Sequence, residues 1–202
     1  MPDRAMTNVP VPTRIAGLVL MGGEARRMGG GDKALLLLHG RPILGHALDR
    51  LRPQAFALAL SANGDPARLG AFGLPVLPDA AGSPGGPLSG VVAGLTWAAA
   101  QGASHLLTVP GDAPFPPRDL GARLWAAGGG GPACAASPDG PEPLHALWPL
   151  DRRAELDRLI AEGVSSPRRA LAALGAAHAP YPSRDGFRDA DTPDDLAALR
   201  GA

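Results

Sequence analysis

The chain has a single cysteine, Cys134, among its 202 residues. One cysteine excludes an internal disulfide and a cysteine-rich zinc site. The apolar runs are far shorter than the ~20 residues that a membrane-spanning helix needs. The formal net charge is zero, so no field over the whole surface attracts nucleic acid or an anionic membrane. We therefore expect no nucleic-acid or membrane partner, and any anion site must be local.

Lysine and asparagine are also scarce. Of the 19 basic residues only Lys33 is a lysine, and Asn8 and Asn63 are the only asparagines. A general bias toward arginine accounts for this pattern. A lysine that survives such a bias is a candidate for a task that the planar guanidinium of arginine does not suit. Chance survival is the alternative.

Residues 1–14 contain prolines and polar side chains but no apolar segment of the kind that a signal peptide needs. We expect them to form a flexible N-terminal tail, and we expect a cytoplasmic protein. No linker interrupts residues 15–202, so these are expected to form one domain.

Short apolar runs alternate with helical patterns along this domain. The strand-like runs lie at residues 15–20, 56–60, 74–77, 106–109, 133–136 and 144–148. The helical patterns lie at residues 41–51, 87–95, 116–124 and 151–162 and in a last helix that begins at Thr192. This alternation is typical of an α/β fold and predicts a three-layer α/β/α arrangement around a mostly parallel, Rossmann-like sheet. Ligands of such folds lie at the carboxyl ends of the strands.

The first strand leads into a loop, Met21–Lys33, that is rich in glycine and arginine. Its Gly22–Gly23 pair leaves backbone N–H groups open to a phosphate, and Arg26–Arg27 and Lys33 add three cations. This composition predicts a loop that binds the triphosphate of a nucleotide. The spacing matches neither the P-loop nor the dinucleotide-binding fingerprint. A solvated surface loop is the alternative.

Two aspartates follow apolar runs and are therefore candidates for the same edge of the sheet. Asp112 comes after residues 105–110, and Asp79 after residues 76–77. Mg²⁺ is usually held by one or two carboxylates together with substrate phosphates, which makes Asp112 a candidate magnesium ligand. A turn or helix-capping aspartate is the alternative for Asp112, and a turn residue the alternative for Asp79.

Four segments together resemble the signature of the molybdenum cofactor guanylyltransferases: Leu20-Met-Gly-Gly23, Arg26-Arg-Met-Gly29, Asp32-Lys-Ala-Leu-Leu36 and Gly40-Arg-Pro42. These enzymes transfer GMP from GTP to molybdopterin and release pyrophosphate. The resemblance implies a single nucleotidyltransferase domain over residues 15–202, with the fold of the nucleotide-diphospho-sugar transferases, GTP as substrate and Mg²⁺ as cofactor. The implied partners are GTP and molybdopterin, with a cofactor-delivery protein or a molybdoenzyme as a further partner, and we expect a monomer.

The resemblance also implies roles for individual residues. The nucleotide contacts would be Leu20, Met21, Gly22, Gly23, Arg26, Lys33, Ser61, Asn63, Asp79 and Asp112. The catalytic residues would be Lys33, Arg27 and Asp112, with Asp112 binding the metal. The acceptor side would include Asp189, Asp191 and His145. Stabilisation of the last helix is the alternative for Asp191, and a packed or surface histidine the alternative for His145.

Five positions depart from the family pattern. Met21 stands where the family has a small alanine, Ser61 where it often has asparagine, and Glu142 where it often has histidine. Asp189 and Asp191 stand in place of two asparagines. These departures keep two alternatives open: another nucleotidyltransferase of the same fold, using CTP or a sugar 1-phosphate, and a non-catalytic paralogue that binds a nucleotide or the cofactor.

Overall fold

The computed structural model describes residues 14–21, 32–80, 83 and 85–200. The strands in these ranges are β1 (Ile15–Leu20), β2 (Leu37–Leu38), β3 (Arg41–Pro42), β4 (Ala57–Ser61), β5 (Val76–Leu77), β6 (His105–Pro110), β7 (Ala133–Ser137), β8 (Gly140–Pro149) and β9 (Ala177–Pro180). The α-helices are α1 (Ile43–Leu51), α2 (Pro87–Ala100), α3 (Leu120–Gly128), α4 (Arg153–Ala161), α5 (Pro167–Ala173) and α6 (Pro193–Arg200). Short 3₁₀ helices include Lys33–Leu35 and Pro66–Phe72.

Seven of these strands form one sheet in the order β5-β4-β1-β6-β8-β7-β9, and β2 and β3 form a separate hairpin. β1 lies between β4 and β6 and is parallel to both. All residues of β1 and β6 are buried, as expected for central strands that are covered on both faces. β8 is antiparallel to β6 and β7, and β9 is parallel to β7. The predicted mostly parallel sheet is thus confirmed.

Helices cover both faces of the sheet. On one face, Leu44 of α1 and Leu124 of α3 belong to the same buried cluster as Val19 of β1. On the other face, α2, α4 and α5 pack around a second cluster that includes Leu18 and Trp148. The three layers follow from the alternation of side chains along β1, where neighbouring residues face opposite sides.

α2 packs closely against the sheet at two of its residues, which are glycines. A Cβ atom at Gly94 would lie 2.4 Å from Cδ2 of Leu18, and one at Gly90 would lie 2.4 Å from Oγ of Ser61. Gly85 and Gly86 precede the helix with φ values of +78° and +75°, a conformation that favours glycine. The first turn of α2 is therefore held against the end of β4.

The ends of several elements differ from the sequence-based expectation. α3 begins at Leu120 rather than at Pro116, and β8 begins at Gly140, before the predicted 144–148 run. The capping box that the sequence indicates at α6 is confirmed, since Thr192 Oγ1 accepts from Asp195 N–H (3.1 Å) and Asp195 Oδ2 accepts from Thr192 N–H (2.8 Å). None of the helices in the described ranges has both the length and the apolarity needed to span a bilayer.

Candidate functional site

A cavity of about 350 Å³ opens at the carboxyl edge of the parallel strands. It lies between the ends of β1, β4 and β6 and the first turn of α2, with Leu144 of β8 on its wall. Six residues that the sequence predicts as nucleotide contacts line it together: Leu20, Met21, Ser61, Asn63, Asp79 and Asp112. Strand order explains this meeting, because β4, β1 and β6 are parallel neighbours and end at the same edge.

Asn63 and Asp79 form a reciprocal pair in this cavity. The Asn63 side-chain N–H group donates to Asp79 Oδ2 at 2.9 Å, and the Asp79 backbone N–H donates to Asn63 Oδ1 at 2.9 Å. Each side chain therefore fixes the orientation of the other. The pair thus places the Asp79 carboxylate, which accepts hydrogen bonds, at the end of the cavity where β4 and β5 end.

The first turn of α2 borders the same cavity through Gly86 and Pro87. No side chain caps this end of the 14-residue helix. Backbone N–H groups at a helix N-terminus and the helix dipole favour a negatively charged group. One border of the cavity thus suits an anion, whereas Asp79 presents a carboxylate at another.

Lys33 lies beside three carboxylates. Its Nζ donates to Asp191 Oδ1 at 2.5 Å, and this hydrogen bond is the main reason that the pKa of Lys33 is raised, with smaller contributions from Asp112 and Asp189. The backbone N–H of Ala190 donates to the carbonyl of Asp112 at 3.0 Å. This bond ties the segment that carries Asp189 and Asp191 to the end of β6.

The carboxyl group of Asp112 is largely buried. Burial, followed by the negative charge of Asp189, raises its pKa to about 6. The pKa of Asp189 is also raised, chiefly by burial and then by Asp191. Two carboxylates that resist ionisation for this reason form a place where a cation would be stabilised.

The same carboxylates do not form a complete metal cage. Within the described part of the chain, no group of three or more histidine, cysteine, aspartate or glutamate side chains is placed to hold a metal ion. A site with one or two protein carboxylates suits Mg²⁺, which usually retains water and binds substrate phosphates. The donor chemistry of Asp112 and Asp189 therefore fits magnesium held jointly with a nucleotide.

His145 does not lie in the cavity wall, although its neighbour Leu144 does. Its ring packs edge-on against Phe187, with 4.9 Å between the ring centroids, and burial lowers its pKa to about 3. Neighbouring residues of a strand face opposite sides of the sheet. His145 is thus a packed, neutral histidine. This is the alternative to an acceptor-side role that the sequence analysis gave for it.

Four of the predicted site residues, Gly22, Gly23, Arg26 and Arg27, lie outside the described residues. Their roles remain predictions. Sequence reasoning missed Arg68, whose Nε donates to Asp32 Oδ2 at 2.6 Å. No pattern in the sequence distinguishes this arginine from the many others, because its partner lies 36 residues away.

Comparison with solved structures gives the same fold. The chain resembles the molybdopterin-guanine dinucleotide biosynthesis protein A of Archaeoglobus fulgidus with a TM-score of 0.70 and 23% sequence identity. The match covers 92% of this chain and 97% of that structure. The chain therefore shares the three-layer α/β/α fold of that structure.

Sequence comparison identifies the class of protein, a nucleotidyltransferase, and narrows this class to a family. The family model of the MobA-like NTP transferase domain matches residues 17–179. A molybdenum cofactor guanylyltransferase of Cereibacter sphaeroides is 50% identical over 184 residues, covering 91% of this chain and 94% of that protein. Another, from Bradyrhizobium sp. (strain ORS 278), is 44% identical over 193 residues, covering 92% and 91%. The chain belongs to the molybdenum cofactor guanylyltransferase family, which confirms the resemblance and the enzyme class expected from its motifs.

Proposed function

We propose that this enzyme transfers GMP from GTP to molybdopterin, with Mg²⁺, and releases pyrophosphate. The observation that carries the proposal is that a nucleotide-sized cavity lined by Asn63, Asp79 and Asp112 opens at the edge of the sheet where Lys33 meets the acidic segment 189–191. The names of its relatives supply the substrates. The cavity chemistry supports the nucleotide half independently.

The Asn63–Asp79 pair favours guanine over cytosine. Guanine presents two donors side by side on its Watson–Crick edge, N1–H and the N2 amino group, whereas cytosine presents two acceptors and one donor there. A carboxylate accepts hydrogen bonds only. Asp79, oriented by two hydrogen bonds to Asn63, is therefore suited to guanine and would repel the acceptor atoms of cytosine.

In the proposed reaction, an oxygen of the molybdopterin phosphate attacks the α-phosphorus of GTP. The bond between that phosphorus and the oxygen leading to the β-phosphate breaks, so a new diphosphate linkage forms and pyrophosphate leaves. Phosphoryl transfers of this kind require positioning and charge neutralisation rather than covalent chemistry from the protein. We assign those tasks to the residues around Lys33 and Asp112.

Lys33 would neutralise the leaving pyrophosphate, together with Arg26 and Arg27. Asp112, with Asp189 beside it, would hold Mg²⁺. When bound, the metal would neutralise charge on the phosphates and help to orient them. Asp191, now paired with Lys33, would be released toward the acceptor side once the ammonium group contacts phosphate.

The direct test is to incubate the purified enzyme with molybdopterin, Mg²⁺ and either GTP or CTP, and to measure pyrophosphate and the dinucleotide product. Pyrophosphate release with GTP and little with CTP is expected. The opposite preference would reject guanylyl transfer in favour of cytidylyl transfer. Tight GTP binding without pyrophosphate release under any acceptor condition would support a non-catalytic binding protein instead.

A further inference from the structure

We propose that Arg68 is a positioning residue of the nucleotide site: through Asp32 it fixes Lys33, which would bind phosphate, relative to Asn63, which orients the base-recognising Asp79. The inference rests on the proposed function for the identity of the nucleotide. It concerns a residue that does not line the cavity.

The guanidinium group of Arg68 bridges two segments of the chain. Its Nε donates to Asp32 Oδ2 at 2.6 Å, and its Nη1 donates to the carbonyl oxygen of Asp65, also at 2.6 Å. A partly exposed ion pair contributes little to folding stability. What this pair does is determine the position of the segment that carries Asp32.

Asp32 is placed where an aspartate ordinarily serves its own helix. It is the N-cap residue of the 3₁₀ helix Lys33–Leu35, yet its side chain accepts no hydrogen bond from that helix. N-cap aspartates usually accept from the backbone two or three residues ahead. Here the carboxylate is used on Arg68, and because Lys33 follows directly, a fixed Asp32 fixes the point from which the lysine side chain extends.

The other end of the bridge is equally well held. Asp65 caps the 3₁₀ helix that carries Arg68, since Ala67 N–H donates to Asp65 Oδ1 at 2.9 Å. Gly64 adopts a φ of +83°, and a Cβ atom built there would lie 3.6 Å from Nη1 of Arg68. Asn63 precedes this turn directly. Arg68 therefore connects the turn after Asn63 with the segment that begins at Asp32.

A fixed spacing matters because Lys33 has a competing partner. Its ammonium group is hydrogen-bonded to Asp191, so a backbone free to move at residue 32 would let the lysine follow that carboxylate. With Asp32 tied to Arg68, the backbone stays in place and only the end of the side chain has to change partner. Preorganisation of this kind improves affinity by lowering the ordering cost of binding.

The test is the affinity of GTP with Mg²⁺, measured by calorimetry on the full chain. Arg68→Gln is expected to weaken binding about tenfold, equivalent to about 1.4 kcal/mol. Asp32→Asn should have the same effect, and the double variant should be no worse than either single one, because both changes break one bridge. In a Lys33→Ala background, Arg68→Gln should have no further effect.

Arg152→Gln is the matched control. Arg152, just before α4, forms an ion pair with Glu155 in the first turn of that helix. Its side chain is 39% exposed, compared with 32% for Arg68. The Arg152→Gln substitution should leave GTP affinity unchanged. In turnover assays, Arg68→Gln should raise KM for GTP and leave KM for the acceptor unchanged, a split that general loss of folding would not produce. Arg68→Lys keeps the charge and serves as a milder variant if the glutamine protein does not fold.

The outcomes separate the two proposals. If the wild-type enzyme binds GTP and both Arg68→Gln and Arg68→Lys bind it equally well, Arg68 is not a positioning residue. An additional loss on adding Arg68→Gln to Lys33→Ala would also overturn the inference, since the effect would then not pass through Lys33. If the wild-type enzyme binds no GTP, the proposed function itself is wrong, and this inference is wrong with it.

Discussion

Nζ of Lys33 lies 2.5 Å from Oδ1 of Asp191, a residue 158 positions further along the chain. The only lysine of the protein is thus paired with a carboxylate whose charge acts on Asp112, a residue that lines the candidate nucleotide cavity. Asp112 and Asp189 stand close enough to raise the pKa of this lysine as well. One ammonium group thus faces three carboxylates, and the region carries an excess of negative charge. A nucleotide would add more negative charge, so the region favours a cation that binds together with the nucleotide.

This pairing predicts that Lys33→Arg will inactivate the enzyme. A planar guanidinium can bind a carboxylate through two parallel hydrogen bonds, so arginine would stay with Asp191 more firmly than a compact ammonium group does. We expect guanylyl transfer, measured as pyrophosphate release, to fall on the order of a hundredfold. The thermal unfolding curve should stay close to that of the wild type. Near-normal activity in this variant would remove Lys33 from the catalytic residues.

The buried carboxylate of Asp112 should lower the stability of the protein although activity requires it. Its pKa is raised to about 6 from the ordinary 3.8, mainly by burial, so between these pH values the folded chain binds more protons than the unfolded chain. The free energy of unfolding of the protein therefore decreases as pH rises from about 4 to 6, and Asp112 accounts for at most about 3 kcal/mol of this decrease. Asp112→Asn removes the charge and should make the protein more stable than the wild type at pH 8 in EDTA.

Denaturant unfolding at pH 4 and pH 8, with EDTA, checks this prediction. The advantage of Asp112→Asn should be large at pH 8 and small at pH 4, and its guanylyl transfer activity should be lost. Asp49→Asn is the control: Asp49 forms an exposed ion pair with Arg41, and because such pairs contribute little to stability, this change should alter the free energy of unfolding only slightly. A variant at position 112 that is less stable than the wild type at pH 8 would mean that the carboxylate is stabilised in the fold, contrary to its environment.

Base recognition gives a third prediction. Asp79→Asn replaces one carboxylate oxygen by an amide NH2 group. This group is a hydrogen-bond donor and would face the donor groups of guanine. We expect GTP affinity to fall about tenfold or more, while CTP affinity stays the same or increases. Thermal shift with each nucleotide and Mg²⁺ measures both. Equal losses for the two nucleotides would show that Asp79 contacts a part that they share, such as the ribose.

The parts of this site that could be predicted are those that depend on short sequence ranges. Asp112 and Asp79 each follow an apolar strand after one intervening residue, so the parallel sheet is enough to place them at one edge. The side of a strand is harder to predict, because a shift of one residue exchanges the two faces. This is why Leu144 lines the cavity while His145 packs against Phe187.

Long-range pairs and short elements could not be predicted. The contact of Arg68 with Asp32 depends on how two short 3₁₀ helices lie beside each other, and no local sequence pattern indicates it. β9, Ala177–Pro180, contains a proline and no β-branched residue, and α5 has only seven residues. Both are stabilised by the elements on which they pack rather than by intrinsic propensity.

The close approach of α2 to the cavity gives the last prediction. An alanine inside a helix is ordinarily more favourable than glycine by about 1 kcal/mol. At Gly90, however, the added methyl group would lie 2.4 Å from Oγ of Ser61 and 3.1 Å from Cδ2 of Leu20. Gly90→Ala should therefore destabilise the protein by roughly 1–3 kcal/mol and weaken GTP binding, because Ser61 and Leu20 line the cavity.

Gly45→Ala in α1 is the matched control for this change. There the methyl group would meet only the end of the Arg41 side chain, at 3.6 Å, so the usual gain from alanine should appear, about 0.5–1 kcal/mol. Denaturant unfolding of both variants and GTP titration provide the comparison. If both glycines respond alike, the spacing between α2 and the end of β4 does not depend on the missing side chain, and the shape of the cavity must have another origin.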